Sequence, residues 1–202
     1  KSPDAIYVIV SNPLDAMTFL AWNKSGLPAE RVVGMAGVLD SSRYACFIAE
    51  EANCSIKDVR PMVLGGHGDS MVPVPEYSTI NGIQIDQVLS SDIIEKINER
   101  TKHGGAEIVK HLKTGSAFYA PSASAVAMAE AIILDSNRLL PACAYCNGEY
   151  GIKDVYCGVP VILNKNGVSK IIELDLREES KADLLRSAND VKELCDKILT
   201  SV

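Results

Sequence analysis

Long apolar runs are missing from this 202-residue chain. No stretch of about 18 apolar residues occurs, so no transmembrane helix is predicted and no membrane partner is expected. No charged-then-apolar leader opens the sequence, so no secretion signal is read. Basic charge is in the minority, with 20 Lys and Arg against 26 Asp and Glu and a formal net charge of −6. A protein that grips phosphate backbones needs the opposite balance, which excludes nucleic acid as a partner. Cysteine is too thinly spread for a disulfide scaffold: six residues in a long chain without the character of a small secreted domain. The close pair Cys143-x-x-Cys146 falls on residues 139–146, which read as a strand, where residues three apart point to opposite faces. With no second close pair, no metal site is expected. Reduced, mostly buried thiols in a cytoplasmic protein are the better reading. Internal repeats and low-complexity linkers are absent too.

What is present suits a sizeable core, since 47% of residues are hydrophobic. Residues 5–10 (A-I-Y-V-I-V) are continuously apolar and rich in β-branched side chains, as in a strand buried on both faces of a parallel sheet. Pro13 ends that run, residues 14–25 read as a helix closed by Gly26, and 31–36 form a second short apolar run. Strand, helix, strand makes one right-handed parallel crossover. Residues 38–52 predict a second helix and 59–65 a strand. Asn81-Gly82 and Asn166-Gly167 each predict a hairpin with a type I′ turn. Residues 92–112 predict a helix interrupted by Gly104-Gly105. That pair costs about 1 kcal/mol per residue relative to alanine, so it implies a kink or a very close neighbour. Residues 122–134 predict an alanine-rich helix, and 183–199 an amphipathic one with Leu184, Ala188, Val191, Cys195 and Ile198 on one face. A boundary is expected near residue 37, where the parallel α/β pattern gives way to antiparallel hairpins.

The segment G-G-H-G-D-S-M-V-P at 65–73 sets His67, one of three histidines, among glycines. Glycine permits a sharp turn and close approach of a substrate. Histidine has the ordinary pKa nearest neutrality, so it can give or take a proton. Asn12 falls just past the carboxyl end of the first strand, the edge that faces the ligand crevice in open α/β sheets; the alternative is that it caps the helix that follows. Asp40 and Arg43, three apart at the start of a helix, share a face. Alone they read as a surface ion pair worth about 0.2–1 kcal/mol. With His67 in reach, Asp40 can hold one imidazole nitrogen and Arg43 can grip a carboxylate through two parallel hydrogen bonds. His103 and His111 sit among lysines and read as solvated.

Four segments come in order: V-S-N-P-L-D-A-M (10–17), G-M-A-G-V-L-D-S-S-R (34–43), G-G-H-G-D-S-M-V-P (65–73) and T-G-S-A-F-Y-A-P (114–121). Through them the chain resembles the lactate/malate dehydrogenase family along essentially its whole length. Within the family it is most similar to the lactate-dehydrogenase-like malate dehydrogenases. The resemblance implies an α/β fold in two parts. Residues 1–37 would be the end of a Rossmann-type parallel sheet, the last piece of a dinucleotide-binding domain. Residues 38–202 would be an α+β catalytic domain with antiparallel hairpins. It further implies that Val10 and Ser11 stand beside the nicotinamide of NAD and that Asn12 touches both cofactor and substrate. Asp40 and His67 become a proton-relay pair, Arg43 the partner of the substrate's C1 carboxylate, and Ala117 part of the substrate-pocket lining. Gly-Gly-His and T-G-S-A-F-Y-A-P are malate-like within the family. The expectation is therefore an oxidoreductase acting on small dicarboxylic acids, malate and oxaloacetate, assembled as a homodimer or homotetramer.

The chain departs from the family pattern in one respect. No G-x-G-x-x-G follows a strand, no acidic residue for the cofactor ribose can be placed, and no positions match the family's mobile lid. The chain opens on Lys1 and reads as the later part of a longer protein, inactive when alone. Two other readings compete. One is a lactate or other 2-hydroxy-acid dehydrogenase. The second is a non-catalytic assembly module that keeps the fold.

Overall fold

The first two apolar runs pair as their pattern predicts. In the computed structural model, which describes residues 2–201, β1 (Tyr7–Ile9) lies parallel to β2 (Val32–Gly34), and α1 (Leu14–Ser25) joins them. Gly26, at φ +68°, closes α1 in the left-handed conformation common at helix ends. After α2 (Gly37–Glu51) come the short strands β3 (Val59–Arg60), β4 (Val63–Leu64), β5 (Val72–Pro73), β6 (Thr79–Ile80) and β7 (Ile83–Gln84). Then follow α3 (Ser91–Leu112), α4 (Tyr119–Ile133), β8 (Arg138–Asn147), β9 (Lys153–Asn164), β10 (Gly167–Ile171) and α5 (Glu178–Ser201).

The main sheet has the order β1-β2-β8-β9-β10. Only its β1–β2 pair is parallel; β2–β8, β8–β9 and β9–β10 are antiparallel. The long β8–β9 pair forms its spine. Val33, Ala142, Val159 and Val161 bury one layer of it with Leu184, Ala188 and Val191 of α5 and Met128 of α4. Tyr44 and Ile48 of α2 build a second cluster with Ile94 and Ile97 of α3 and with Val59 and Val63. The mixed α/β architecture with antiparallel hairpins is thus the one expected from sequence.

Several local expectations need correction. β1 is not buried on both faces: Tyr7 and Val10 are 40% and 45% exposed, and among the described residues β1 pairs only with β2. The strand expected at 59–65 splits in two. Pro61 has no N–H for a continuous ladder, so β3 joins the β3-β6-β7 sheet while β4 pairs with β5. At Asn81-Gly82 both residues take positive φ, 47° and 87°, as a type I′ turn requires. At the second hairpin only Gly167 does so, at 96°, and Gly167 pairs with Asn164; the turn residues are Lys165 and Asn166 instead. α3 runs through Gly104-Gly105 as one helix without the expected kink, and its neighbour on α2 lies at ordinary van der Waals distance rather than very close. A Cβ at Gly104 would stand 3.4 Å from Arg43 Cδ on α2. All six cysteines are free thiols. Cys143 and Cys146 are buried in separate clusters, and no group of metal ligands exists among the described residues. Among the same residues no helix is long and apolar enough to cross a membrane.

Candidate active site

His67 sits on a turn whose main chain is tied down residue by residue. The Gly65 N–H donates to Gly158 O on β9 (2.8 Å), and the Gly158 N–H donates back to Gly65 O (3.1 Å). The Gly66 N–H donates to Ser187 Oγ on α5 (2.8 Å), and the His67 N–H donates to Asp15 Oδ2 on α1 (2.7 Å). Consecutive amides are therefore fixed to three different elements. Close packing favours glycine at these positions, and Gly65 also holds a positive φ of 80°. A Cβ on Gly158 would run into the Gly65 carbonyl, and one on Gly66 would stand 2.8 Å from Val191 Cγ2 and 2.9 Å from Ser70 Oγ. Such distances are below ordinary van der Waals contact, so side chains here would push the turn away from the sheet.

The turn delivers the imidazole to Asp40, in the first turn of α2. His67 Nδ1 lies 2.9 Å from Asp40 Oδ2, and Arg43 donates to Asp40 Oδ1 over 3.3 Å. Asp40 is only 2% exposed. A carboxylate accepts hydrogen bonds and does not donate them, so it holds the proton on Nδ1 and leaves Nε2 free for chemistry. Burial disfavours a charged ring here, but the hydrogen bond and charge of Asp40, followed by the charge of Asp15, outweigh it. The His67 pKa ends above its ordinary 6.5, with Arg43 opposing weakly. Next to Asp40 on α2, Ser41 Oγ accepts the Val63 N–H at 3.2 Å, which ties α2 to the strand leading into the turn.

A cavity of about 290 Å³ opens in front of this group, lined by Asn12, Arg43, His67, Lys102, Ser116 and Ala117 among others. Arg43 lines this cavity, and its Nε is buried without a hydrogen-bond partner. Lys102, ion-paired with Glu99 at 2.7 Å, adds a second cation to the wall. Asn12 does not cap α1: the N-cap is Pro13, with no side-chain capping bond, so the Asn12 amide is left at the cavity. Val10 and Ser11, just before it, are exposed at the carboxyl end of β1. His103 is exposed, 3.7 Å from Asp69, and His111 is exposed as well; neither lines the cavity.

The structure thus brings His67, Arg43, Asn12 and Ala117 to one cavity, with Asp40 buried behind it and bonded to both His67 and Arg43, and with Val10 and Ser11 leading up to it. Sequence reasoning missed Asp15 and Ser187. Asp15 reads locally as an acidic residue in a first helical turn, and Ser187 lies 121 residues from the amide it holds, so neither carried a local signal.

Residues 37–202 match the lactate/malate dehydrogenase alpha/beta C-terminal domain family. The chain belongs to the lactate/malate dehydrogenase family. It is 54% identical over 198 residues to a malate dehydrogenase from Chloroherpeton thalassium, which covers 98% of this chain and 64% of that relative. A malate dehydrogenase structure from Salinibacter ruber superposes with a TM-score of 0.95 at 49% identity, over 98% of this chain and 65% of that one. A lactate dehydrogenase from Cryptosporidium parvum, solved with lactic acid and nicotinamide adenine dinucleotide, superposes with a TM-score of 0.95 at 40% identity, over 99% and 64% of the two chains. The chain spans about 64% of the length of the relatives it matches.

Proposed function

We propose that the full-length protein carrying this chain interconverts malate and oxaloacetate by hydride transfer with NAD, as a cytoplasmic homodimer or homotetramer. In this reading residues 1–37 close the cofactor-binding domain and residues 38–202 form the substrate domain. One observation carries it: an imidazole backed by a buried carboxylate meets a guanidinium on one cavity wall.

Oxidising a 2-hydroxy acid removes a proton from oxygen and a hydride from carbon. His67 Nε2 takes the hydroxyl proton, and Asp40, bonded to Nδ1, favours the imidazolium that results. In reverse, the imidazolium protonates the keto oxygen. Positioned acid–base help of this kind contributes about 10²–10⁴ in rate. Arg43 anchors a substrate carboxylate, Ala117 bounds the pocket, and the Asn12 amide offers both a donor and an acceptor at its mouth. When bound, the nicotinamide ring supplies the hydride acceptor. The exposed Val10 gives an apolar surface, and Ser11 and Asn12 give polar groups, where such a ring would be held; these residues fit it.

Malate is favoured over lactate by the relatives above 50% identity, which are named malate dehydrogenases. The lactate reading draws on the Cryptosporidium enzyme solved with lactic acid. NADH oxidation by the full-length protein, with oxaloacetate or pyruvate, tests the choice. Preference for oxaloacetate, abolished in His67→Asn, is expected. Preference for pyruvate replaces malate by lactate. Turnover with neither leaves the assembly-module reading, and full activity in His67→Asn removes His67 from the proton-transfer role.

A further inference from the structure

Asp15 is a buried carboxyl that the reaction just described does not use. It is 5% exposed on α1, and one oxygen accepts the His67 N–H at 2.7 Å. The other, Oδ1, is buried with no hydrogen-bond partner; the adjacent Cys143 thiol is at best a weak donor. For stability alone this is a poor choice. An amide in the same place would accept the same N–H without the cost of burying a charged group. Burial accordingly raises the Asp15 pKa, against the opposing pull of the His67 N–H.

In its ionised form the Asp15 carboxyl sets a second negative group at His67, and Asp15 itself does not line the cavity that holds Arg43 and Asn12. A smaller cavity of about 140 Å³ is lined by Asp15, His67, Ser70 and Asp190 among others. We propose that Asp15 is a positioning residue of the acid–base centre: it fixes the place of the imidazole through the His67 main-chain N–H and sets a second carboxylate near it. The proposal rests on the reading of His67 as the acid–base group. The charged and titratable neighbours of His67 are Asp40 and Arg43 from α2, Asp15 from α1, Lys102 from α3, Asp190 from α5 and Asp69 from its own loop, the last near His103. Those of Asp15 are His67, Cys143 of β8, Cys157 of β9, and Cys195 and Asp190 of α5. Among the carboxylates of the described residues, only Asp15 and Asp40 bond to His67 itself.

Two substitutions in the full-length protein separate charge from anchoring. Asp15→Asn keeps an acceptor for the N–H and removes the charge. Ser187→Ala removes the neighbouring anchor on Gly66 and leaves every charge in place. In Asp15→Asn the imidazole of His67, followed by NMR with ¹³C-labelled histidine, is expected to titrate at lower pH than in the unmodified protein. The alkaline limb of oxaloacetate reduction should move with it. kcat should fall about tenfold, while KM stays within about twofold because Asp15 does not touch substrate. Ser187→Ala is expected to lower kcat without moving the titration. An unmoved titration in Asp15→Asn, or an equal movement in Ser187→Ala, overturns the proposal. Should Asp15→Asn not fold, hydrogen exchange in the unmodified protein decides: the His67 amide should be protected far beyond that of Gly68, and equal exchange overturns the proposal. The titration reads Asp15 whether or not the protein turns over oxaloacetate, so loss of the proposed reaction is distinguishable from loss of this inference.

Discussion

The two sides of the cavity are held in opposite ways. On the acid–base side, Gly65, Gly66 and His67 are bonded through their amides to β9, α5 and α1, and the imidazole is bonded to α2. On the side of Val10, Ser11 and Asn12, a strand with one hydrogen-bonded neighbour among the described residues ends in exposed residues. A proton-transfer group must stand within hydrogen-bond reach of its target, and a displacement of about 1 Å can cost about 10²-fold in rate. The over-determined turn would meet that demand if His67 acts as proposed.

The largest expected effect follows from the anchored side. His67→Asn in the full-length protein should lower kcat by about 10²–10⁴ while circular dichroism stays unchanged, because the ring is 16% exposed and its main chain carries the anchoring. Arg43→Gln comes next. It removes a charge-assisted partner for a carboxylate, which is expected to cost about 2–5 kcal/mol in kcat/KM, mostly as a raised KM.

Much of this contrast could be read in the amino acids. α1 was delimited by Pro13 and Gly26, which act through local backbone geometry, and the Asn81-Gly82 turn by residues that tolerate positive φ. His67, Asp40 and Arg43 were legible because residue type and helical spacing put two of them on one face. Asp15 and Ser187 were not legible. Their partners lie 52 and 121 residues away, and only tertiary packing makes Asp15 buried rather than a solvated first-turn acid. The burial of β1 was read too high: a β-branched run predicts a strand covered on both faces, while Tyr7 and Val10 are exposed in a chain that spans about 64% of its relatives' length.

Stability sharpens the same comparison with smaller effects. Gly158→Ala forces a methyl group into the Gly65 carbonyl and is expected to cost about 1–3 kcal/mol, read from the urea midpoint, with activity lost alongside. Val10→Ser, on the open side, should change stability by no more than about 0.5 kcal/mol. Asn12→Ala should likewise spare stability, since Asn12 makes no capping bond, yet lower kcat/KM. A loss near the value of a helix cap, about 1 kcal/mol, would show instead that Asn12 holds α1 in solution.

The His67–Asp40 pair also gives the fold a pH dependence. The folded pKa of His67 lies above 6.5, so the folded state binds the proton more tightly. The stability it contributes is complete below pH 6.5 and is lost as pH rises through the folded value. Urea titrations across that window should show the gap between the unmodified protein and Asp40→Asn closing as pH rises.

The most direct measurement of the acid–base assignment is the pH profile of oxaloacetate reduction by the full-length protein, compared with Asp40→Asn. A buried carboxylate that holds Nδ1 and favours the imidazolium predicts an alkaline limb above pH 6.5 and its displacement to lower pH, with a large loss of kcat, in Asp40→Asn. An alkaline limb that stays in place when Asp40 is replaced would contradict the assignment of His67 and Asp40 as the proton-transfer pair.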